Sequence, residues 1–323
     1  MKKPMKSPFL IIGVVVVAGL LLASYLYNNT QSSSASLDGI GNALHVSIDG
    51  DDNNPGTREQ PLRSIGHAID LAAEYPTLST TTINVLGRTY QTTDADYSQL
   101  EVHDRTINLV ALTNIYTRTV EIVQNPDFSQ PRIMQIGTGG GGSLNISGLK
   151  IKVPLAIRSN NSDGVNSTRV AIEDNEFLID NPIFEHTETP MLYFSCSYRA
   201  ESECLIRNNK FKIYSGDGIT KMINQGIVAA PLSGDNMQIS GNEFIFPNVS
   251  TRLSPLITPL IGIFSQTGSG TVNASGNKFY NEGSNSGDRS EQQVGIMIVG
   301  DKIEFNIFDN DFTRFFGIDV KRI

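Results

Sequence analysis

The stretch "IDGDDNNPGT", residues 48–57, spaces its acidic side chains as a calcium-binding loop does. Asp49 at position 1 of an EF-hand loop puts Asp51 at position 3, where carboxylates ligate the ion. Position 6 requires Gly and is Asn54, and position 12 requires a bidentate Glu and is Gln60. The sequence therefore excludes an EF-hand and favours a turn. A looser calcium site is the alternative, with candidate ligands Asp49, Asp51 and Asp52. We predict no other cofactor.

Arginine and tyrosine are the next residues that suggest chemistry. A polysaccharide lyase needs cationic groups against a uronate carboxylate and a base for the C5 proton. A glycosidase needs two carboxylates about 5–10 Å apart. Arg158 and Tyr193 are the candidate pair of arginine and base. Arginine on an exposed strand is also a common solubilising residue. This interpretation of Arg158 favours a protein that is not an enzyme.

Two cysteines, Cys196 and Cys204, enclose the loop "CSYRAESEC". In an oxidising compartment, a disulfide that closes this loop is the expected state, and two buried thiols are the alternative. The spacing excludes a CxxC-type metal or redox site.

The first 27 residues differ from the rest in hydropathy. Lys2, Lys3 and Lys6 precede an uncharged apolar run over residues 9–27, which as a helix is about 28 Å long and matches a bilayer core. The run is longer than the apolar part of a signal peptide, so an uncleaved anchor is favoured over cleavage. Because the lysines precede the run, the N-terminus is predicted to be cytoplasmic and the remainder periplasmic or extracellular.

The charge of the exported part excludes one class of partner. Without the three leading lysines, the chain carries 22 basic and 33 acidic residues, a net charge of −11, which repels nucleic acid. Residues 28–43 are Ser-rich and resemble a linker. The expected organisation is a cytoplasmic stub and transmembrane helix over residues 1–27, the linker, and one domain over residues 44–323.

A repeat of 33 to 35 residues organises the domain from about residue 144 onward. Apolar residues alternate on both sides of a central asparagine, as in "CLIRNNKF" (204–211), and Phe follows two positions later. An early copy has Leu149 in place of the asparagine. Asparagine tolerates the left-handed backbone that a bend between two strands needs. In stacked coils we expect an internal Phe column and a structural ladder of Asn175, Asn209, Asn242, Asn277 and Asn310.

A third strand follows a variable loop in each repeat, as in "GIVAA" (226–230) and "GIMIV" (295–299). Three short parallel strands per coil indicate an all-β fold, a right-handed parallel β-helix. At its beginning, "HVSIDGDDNNPGTREQPLRSIGHAIDLAAEYP" (45–76) combines a strand, a turn and an amphipathic helix that would cap the coil. The apolar stripe of this helix is Ile65, Ala68, Ile69 and Ala72.

With these features the domain resembles the pectate-lyase-like (pectin lyase fold) superfamily. The resemblance implies a β-helix solenoid, and it leaves the activity open, because the superfamily contains lyases, hydrolases and non-catalytic surface proteins. It also implies that a functional site would lie on the outer face of one strand column.

The outward residues of the third strands form an apolar stripe. If their isoleucines point inward, the outward residues are Tyr193, Val228, Phe264 and Met297. Either the long loops cover this stripe, or it binds a surface protein or the ring face of a polysaccharide. The sequence favours a membrane-anchored, extracytoplasmic and non-catalytic binding module. The alternative is a polysaccharide lyase or glycoside hydrolase of the same superfamily.

Overall fold

The chain divides into two compact units, Met1–Gly41 and Asn42–Ile323. The computed structural model describes parts of the second unit, namely residues 43–74, 80–92, 100–112, 119–127, 134–139, 141–160, 169–179, 190–196, 203–213, 226–230, 236–246, 261–264, 270–281, 294–299, 304–313 and 316–321. The predicted anchor and linker lie outside the described residues. Within these ranges, no helix has the length and apolar character needed to cross a bilayer.

Short strands dominate the described residues. In chain order they are β1 (Ala43–Val46), β2 (Thr80–Leu86), β3 (Thr89–Gln91), β4 (Leu100–His103), β5 (Thr106–Leu112), β6 (Glu121–Val123), β7 (Met134–Gly139), β8 (Ser143–Ser147), β9 (Lys150–Ile151), β10 (Leu155–Asn160), β11 (Arg169–Glu173), β12 (Glu176–Ile179), β13 (Leu192–Cys196), β14 (Glu203–Arg207), β15 (Lys210–Ile213), β16 (Ile227–Ala230), β17 (Asn236–Ser240), β18 (Glu243–Phe246), β19 (Ile261–Phe264), β20 (Thr271–Ser275), β21 (Lys278–Asn281), β22 (Val294–Val299), β23 (Glu304–Phe308), β24 (Asp311–Thr313) and β25 (Phe316–Lys321). One helix, α1 (Ile65–Glu74), follows β1.

The strands fall into three parallel sheets, which the chain visits in rotation. Sheet A has the order β1-β2-β5-β8-β11-β14-β17-β20-β23, sheet B the order β3-β6-β9-β12-β15-β18-β21-β24, and sheet C the order β4-β7-β10-β13-β16-β19-β22-β25. From β2 onward, each coil therefore adds one strand to each sheet. This arrangement is that of a parallel β-helix, with the core inside the coil.

The inward row of sheet B is a stack of rings. Phe177, Phe211, Phe244, Phe279 and Phe312 pair in register. Their neighbouring ring centroids lie between 4.7 and 4.9 Å apart, which is the spacing of adjacent strands. The first four are fully buried. The internal Phe column expected from the repeat is thereby confirmed.

The central asparagines are hydrogen-bonded to one another at the bend between sheets A and B. Asn242 Oδ1 accepts from Asn209 N–H at 2.9 Å and from Asn209 Nδ2 at 3.1 Å. Asn242 Nδ2 donates to Ile206 O at 2.8 Å and to Asn277 Oδ1 at 3.0 Å. The ladder begins at Leu149, whose N–H donates to the Oδ1 of the first asparagine. Each rung thus satisfies buried backbone groups of the neighbouring coils.

The left-handed residue of the bend is not the asparagine that the sequence suggested. Positive φ occurs one position earlier, and the residue types there are those that tolerate it: Asp174, Asn208, Gly241, Gly276 and Asp309. The central asparagine is present instead because its amide can donate and accept at once.

Helix α1 lies at the N-terminal end of the coil, against β1, β2 and β4. Its predicted apolar stripe is buried, with Ile65 at 5% exposure and Ala68, Ile69 and Ala72 at 0%. Ser64 caps the helix, because its Oγ accepts from His67 N–H at 3.2 Å.

The segment before α1 covers the outer edge of β1. His45 N–H donates to Gly56 O at 2.8 Å, Ser47 N–H donates to Leu62 O at 2.8 Å, and Leu62 N–H donates to His45 O at 2.9 Å. A Cβ on Gly50 would lie 2.3 Å from Leu62 O, so this close approach requires glycine. The backbone groups at the edge of β1 therefore already have partners.

Candidate functional site

The outer face of sheet C holds the residues predicted to bind a ligand. Pairing in register places one outward row across it: Gln135, Ala156, Tyr193, Val228, Gly262 and Met297. A second outward row, two residues later along the strands, includes Gly137, Arg158 and Ser195, and farther along the sheet Phe264 and Val299. We call these two rows, between residues 135 and 299, the sheet C face.

The position of Phe264 differs from the predicted one. Ile261, rather than Ile263, pairs with Ile227 and Ile296, so Gly262 is the neighbour of Val228 and Phe264 pairs with Val299. The sequence "IGIF" allows both alignments, because a shift of two residues keeps every side chain on the same side of a strand. Phe264 therefore stays on the outer face but belongs to the second row.

The stripe is covered at its ends and partly accessible between them. Met297 is 7% exposed and Ala156 is 4% exposed, although both alternate with inward residues. Tyr193, Val228 and Phe264 are half-buried. The described part of this face thus retains contiguous apolar surface that water can reach, at the middle of the sheet.

Arg158 and Tyr193 lie on this same face. Arg158 pairs with Ser195, two residues after Tyr193, so the two side chains are diagonal neighbours on adjacent strands, with Cα atoms about 7–8 Å apart. Arg158 is exposed. The structure also brings His103 to this end of sheet C, because β4 pairs with β7 and places His103 beside Gly139.

Sequence interpretation missed His103 as part of this face. The signal was the alternation of Leu100 and Val102, which marks β4 as a third strand; both side chains are buried. In the same strand, residue 101 takes the register position opposite Gly137, in the row that contains Arg158. Gly137 lies between residue 101 and Arg158 in this row and contributes no side chain there.

Two acidic residues of the loop over residues 48–57, Asp51 and Asp52, accept hydrogen bonds from nearby backbone amides. Asp52 Oδ1 accepts from Arg63 N–H at 2.9 Å and from Ser64 N–H at 2.8 Å, and its Oδ2 accepts from Ser64 Oγ at 3.0 Å. Asp51 Oδ1 accepts from the backbone and side-chain amides of Asn53 at 2.9 and 2.8 Å. These bonds from Asn53 lower the pKa of Asp51 below its usual value.

The remaining acid of this loop lies near a cation. Asp49 Oδ2 is 3.6 Å from Arg88 Nη2, and both side chains are largely exposed. Across the residues that the structure describes, no group of three or more His, Cys, Asp or Glu side chains is arranged to hold a metal ion. The loop therefore acts as a turn that joins β1 to α1, and calcium binding stays a prediction.

The two cysteines lie on strands of different sheets. Cys204 is an inward, buried residue of β14, between Val170 and Met237. Cys196 ends β13 and takes the register position beside Ser159. The side chain of Cys196 lies outside the described part, so the disulfide stays a prediction.

Sheet B carries an outward row of alternating charges, which the sequence interpretation missed. Lys150 Nζ lies 2.9 Å from Glu121 Oε1, and Lys210 Nζ lies 3.9 Å from Glu243 Oε2. Like charges on adjacent strands destabilise a sheet, so alternation favours the observed stacking. The sequence signal is that the residue directly after each bend is charged and alternates in sign from coil to coil: Glu121, Lys150, Glu176, Lys210, Glu243, Lys278 and Asp311.

Sheet A presents a mainly polar outer face, although Ala171 and Leu205 are apolar outward residues of its middle strands. Asn145 Nδ2 donates to Asn108 Oδ1 at 2.6 Å, and Arg169 Nε donates to Glu203 Oε2 at 2.9 Å. Arg207 pairs in the same way with Glu173. Of the three outer faces, in their described parts, sheet C therefore has the longest uncharged apolar row.

Comparison with known proteins adds little to this geometry. The chain is 28% identical over 171 residues to the uncharacterized protein YwoF of Bacillus subtilis, which covers 50% of this chain and 34% of YwoF. The match thus spans about a third of the length of that relative. No family model and no solved structure matches the chain.

Proposed function

We propose that this protein is a membrane-anchored, extracytoplasmic β-helix module that binds a saccharide on the sheet C face without catalysis. Residues 9–27 provide the anchor, the β-helix is right-handed, and the domain belongs to the pectate-lyase-like superfamily. The handedness agrees with the strong preference of parallel crossover connections.

The contrast between the three outer faces carries the proposal. Sheets A and B present amide rows, ion pairs and alternating charges. The sheet C face presents Tyr193, Val228 and Phe264, which are half-buried and uncharged. Pyranose rings expose apolar C–H faces that pack on such surfaces, and aromatic residues that keep a polar group suit these contacts.

Polar groups lie beside the apolar residues and would orient the ligand. Gln135, Arg158 and Ser195 are outward residues of β7, β10 and β13, at the N-terminal end of the stripe. They supply hydrogen-bond donors and acceptors for hydroxyl groups. A saccharide chain that runs across the strands would therefore place its rings on Val228 and Phe264 and its hydroxyls near the polar end.

Binding to a panel of immobilised polysaccharides tests this function. At least one immobilised neutral polysaccharide should retain the full chain, purified in mild detergent. Tyr193→Ala should weaken this retention about tenfold or more. Loss of one aromatic stacking contact justifies this magnitude. A panel on which the wild-type chain binds nothing, or on which Tyr193→Ala binds as the wild type does, contradicts the proposal.

A polysaccharide lyase is the second candidate function. Arg158 and Tyr193 lie on adjacent strands of the outer face of sheet C, and His103 lies on β4, two strands before Arg158; such groups can neutralise a carboxylate and abstract a proton. Uronate-containing polysaccharides should then give unsaturated products that absorb in the ultraviolet. If the wild-type chain turns over such a polysaccharide, and both Arg158→Ala and Tyr193→Phe abolish that turnover, the protein is a lyase and not a non-catalytic binding module.

A further inference from the structure

We propose that His45 is an acid-sensitive switch, which holds the turn of residues 56–60 against the outer edge of β1 and releases it when the imidazole takes up a proton. We call residues 56–60 the edge turn. This switch does not depend on the proposed saccharide binding.

His45 joins β1 to the edge turn and to the residues that follow it. Its N–H donates to Gly56 O at 2.8 Å, and its carbonyl accepts from Leu62 N–H at 2.9 Å. The edge turn is also bonded within itself, because Gly56 N–H donates to Gln60 O at 3.2 Å and Gln60 N–H donates to Thr57 Oγ1 at 3.1 Å. It can therefore move away from β1 as one unit.

The segment between the edge turn and α1 is anchored separately. Asp52 accepts from the N–H groups of Arg63 and Ser64 at the start of the helix. These bonds do not involve His45. Opening of the edge turn thus leaves α1 in place.

The imidazole of His45 has one buried atom without a partner. His45 alternates with the inward residues Leu44 and Val46, so its ring lies on the outer side of sheet A, where β2 places the uncharged Asn84 beside it. Its Nδ1 is buried, and in the part of the chain that the structure describes no group is hydrogen-bonded to it. Buried polar atoms of this kind are rare in folded proteins, so Nδ1 points to a role other than stability.

A proton on this ring is disfavoured while the edge turn is closed. When the neutral ring carries its proton on Nε2, protonation adds an N–H at Nδ1, where a buried donor meets no acceptor. Burial and the Arg58 guanidinium lower the pKa of His45 below its usual value, and the Glu59 carboxylate offsets part of this effect.

The charges that act on the ring come from the edge turn itself. Arg58 and Glu59 both belong to it, and both are exposed. The titratable residues of α1 act on one another instead, since His67 and Glu74 influence the pKa of Asp70. The contact between ring and edge turn is therefore the element that responds to pH.

The direction of the response follows from the lowered pKa. The closed state keeps its full stability above the ordinary pKa of histidine, about 6.5. As the pH falls below that value, the open state takes up the proton more readily than the closed state does. The edge turn then opens more often, and the N–H and C=O groups of His45 lose their partners.

Amide hydrogen exchange of the full chain in mild detergent measures this opening. After correction for the intrinsic effect of pH on exchange, protection of the His45 and Leu62 amides should fall about fivefold or more from about pH 7.5 to about pH 5. Protection of β17, an interior strand of the same sheet, should not change.

Four variants separate the ring from its surroundings. His45→Gln should abolish the pH-dependent loss of protection, because glutamine does not titrate. Arg58→Gln should reduce the loss, since it removes the cation that disfavours the proton, and Glu59→Gln should increase it. His67→Gln is the matched control, a histidine of the adjacent helix, and it should keep the full loss.

Four results would overturn the proposal. They are pH-independent protection in the wild type, an unchanged loss in His45→Gln, a reversed order of Arg58→Gln and Glu59→Gln, and an equal loss of protection in β17. The last result would indicate that acid unfolds the whole coil and not the edge turn.

Discussion

Replacement of Asn242 by Ala tests whether the asparagine ladder stabilises the coil. Asn242 is fully buried and takes part in hydrogen bonds to Asn209, Asn277 and Ile206. Alanine removes the acceptor of Asn209 N–H and the side-chain donor to Ile206 O, both inside the coil. A buried group left without its partner costs about 1–3 kcal/mol. We therefore expect the free energy of unfolding to fall by about 3–5 kcal/mol.

Asn273→Ala is the matched control, since it removes the same side chain from an exposed amide row. Asn273 Oδ1 accepts from Asn306 Nδ2 at 3.0 Å on the outer face of sheet A. Water replaces that partner, so the expected loss is less than about 1 kcal/mol. Urea unfolding followed by circular dichroism measures both variants. Equal losses for Asn242→Ala and Asn273→Ala would refute the structural role of the ladder.

Three further predictions concern the core, the N-terminal turn and a buried phenol. Phe244→Ala should cost about 3–5 kcal/mol in urea unfolding, and Phe312→Ala distinctly less, because only Phe244 is fully buried; equal losses would contradict the stack as drawn. Asp52→Ala should cost about 1–2 kcal/mol through loss of its bonds at the start of α1, whereas Asp51→Ala should cost less; the reverse order would speak against that role. Burial raises the pKa of Tyr90 to about 12, so its contribution to stability should be complete below pH 10 and lost between pH 10 and 12. Thermal melts of wild type and Tyr90→Phe should therefore converge over that window, and parallel curves would exclude the effect.

The sequence was most informative where one residue type repeats in every coil. The central asparagines and the phenylalanines two positions later identified the repeat length, two of the three strands and the inward rows. Their side chains repeat because each coil meets the same neighbours above and below. The stripe of α1 was predictable for a similar reason, since its burial follows from helical spacing alone.

The parts that sequence could not predict depend on contacts between coils. Residue 262 shows this for the candidate site: "IGIF" alternates equally well in two alignments, and only pairing with Val228 and Met297 selects one. The left-handed position was missed because it accepts Asp, Asn and Gly alike, so no single residue type marks it. The role of residues 56–62 at the edge of β1 depends on a backbone approach that has no side-chain signature.

The most direct test of the central claim compares two valines on different outer faces. Val228 lies on the sheet C face and Val123 on the outer face of sheet B; both are half-buried, outward residues of interior strands. Binding of the full chain to the polysaccharide panel should be lost in Val228→Asp and retained in Val123→Asp. Equal binding by the two variants, with both folded by circular dichroism, would contradict a ligand site on the sheet C face.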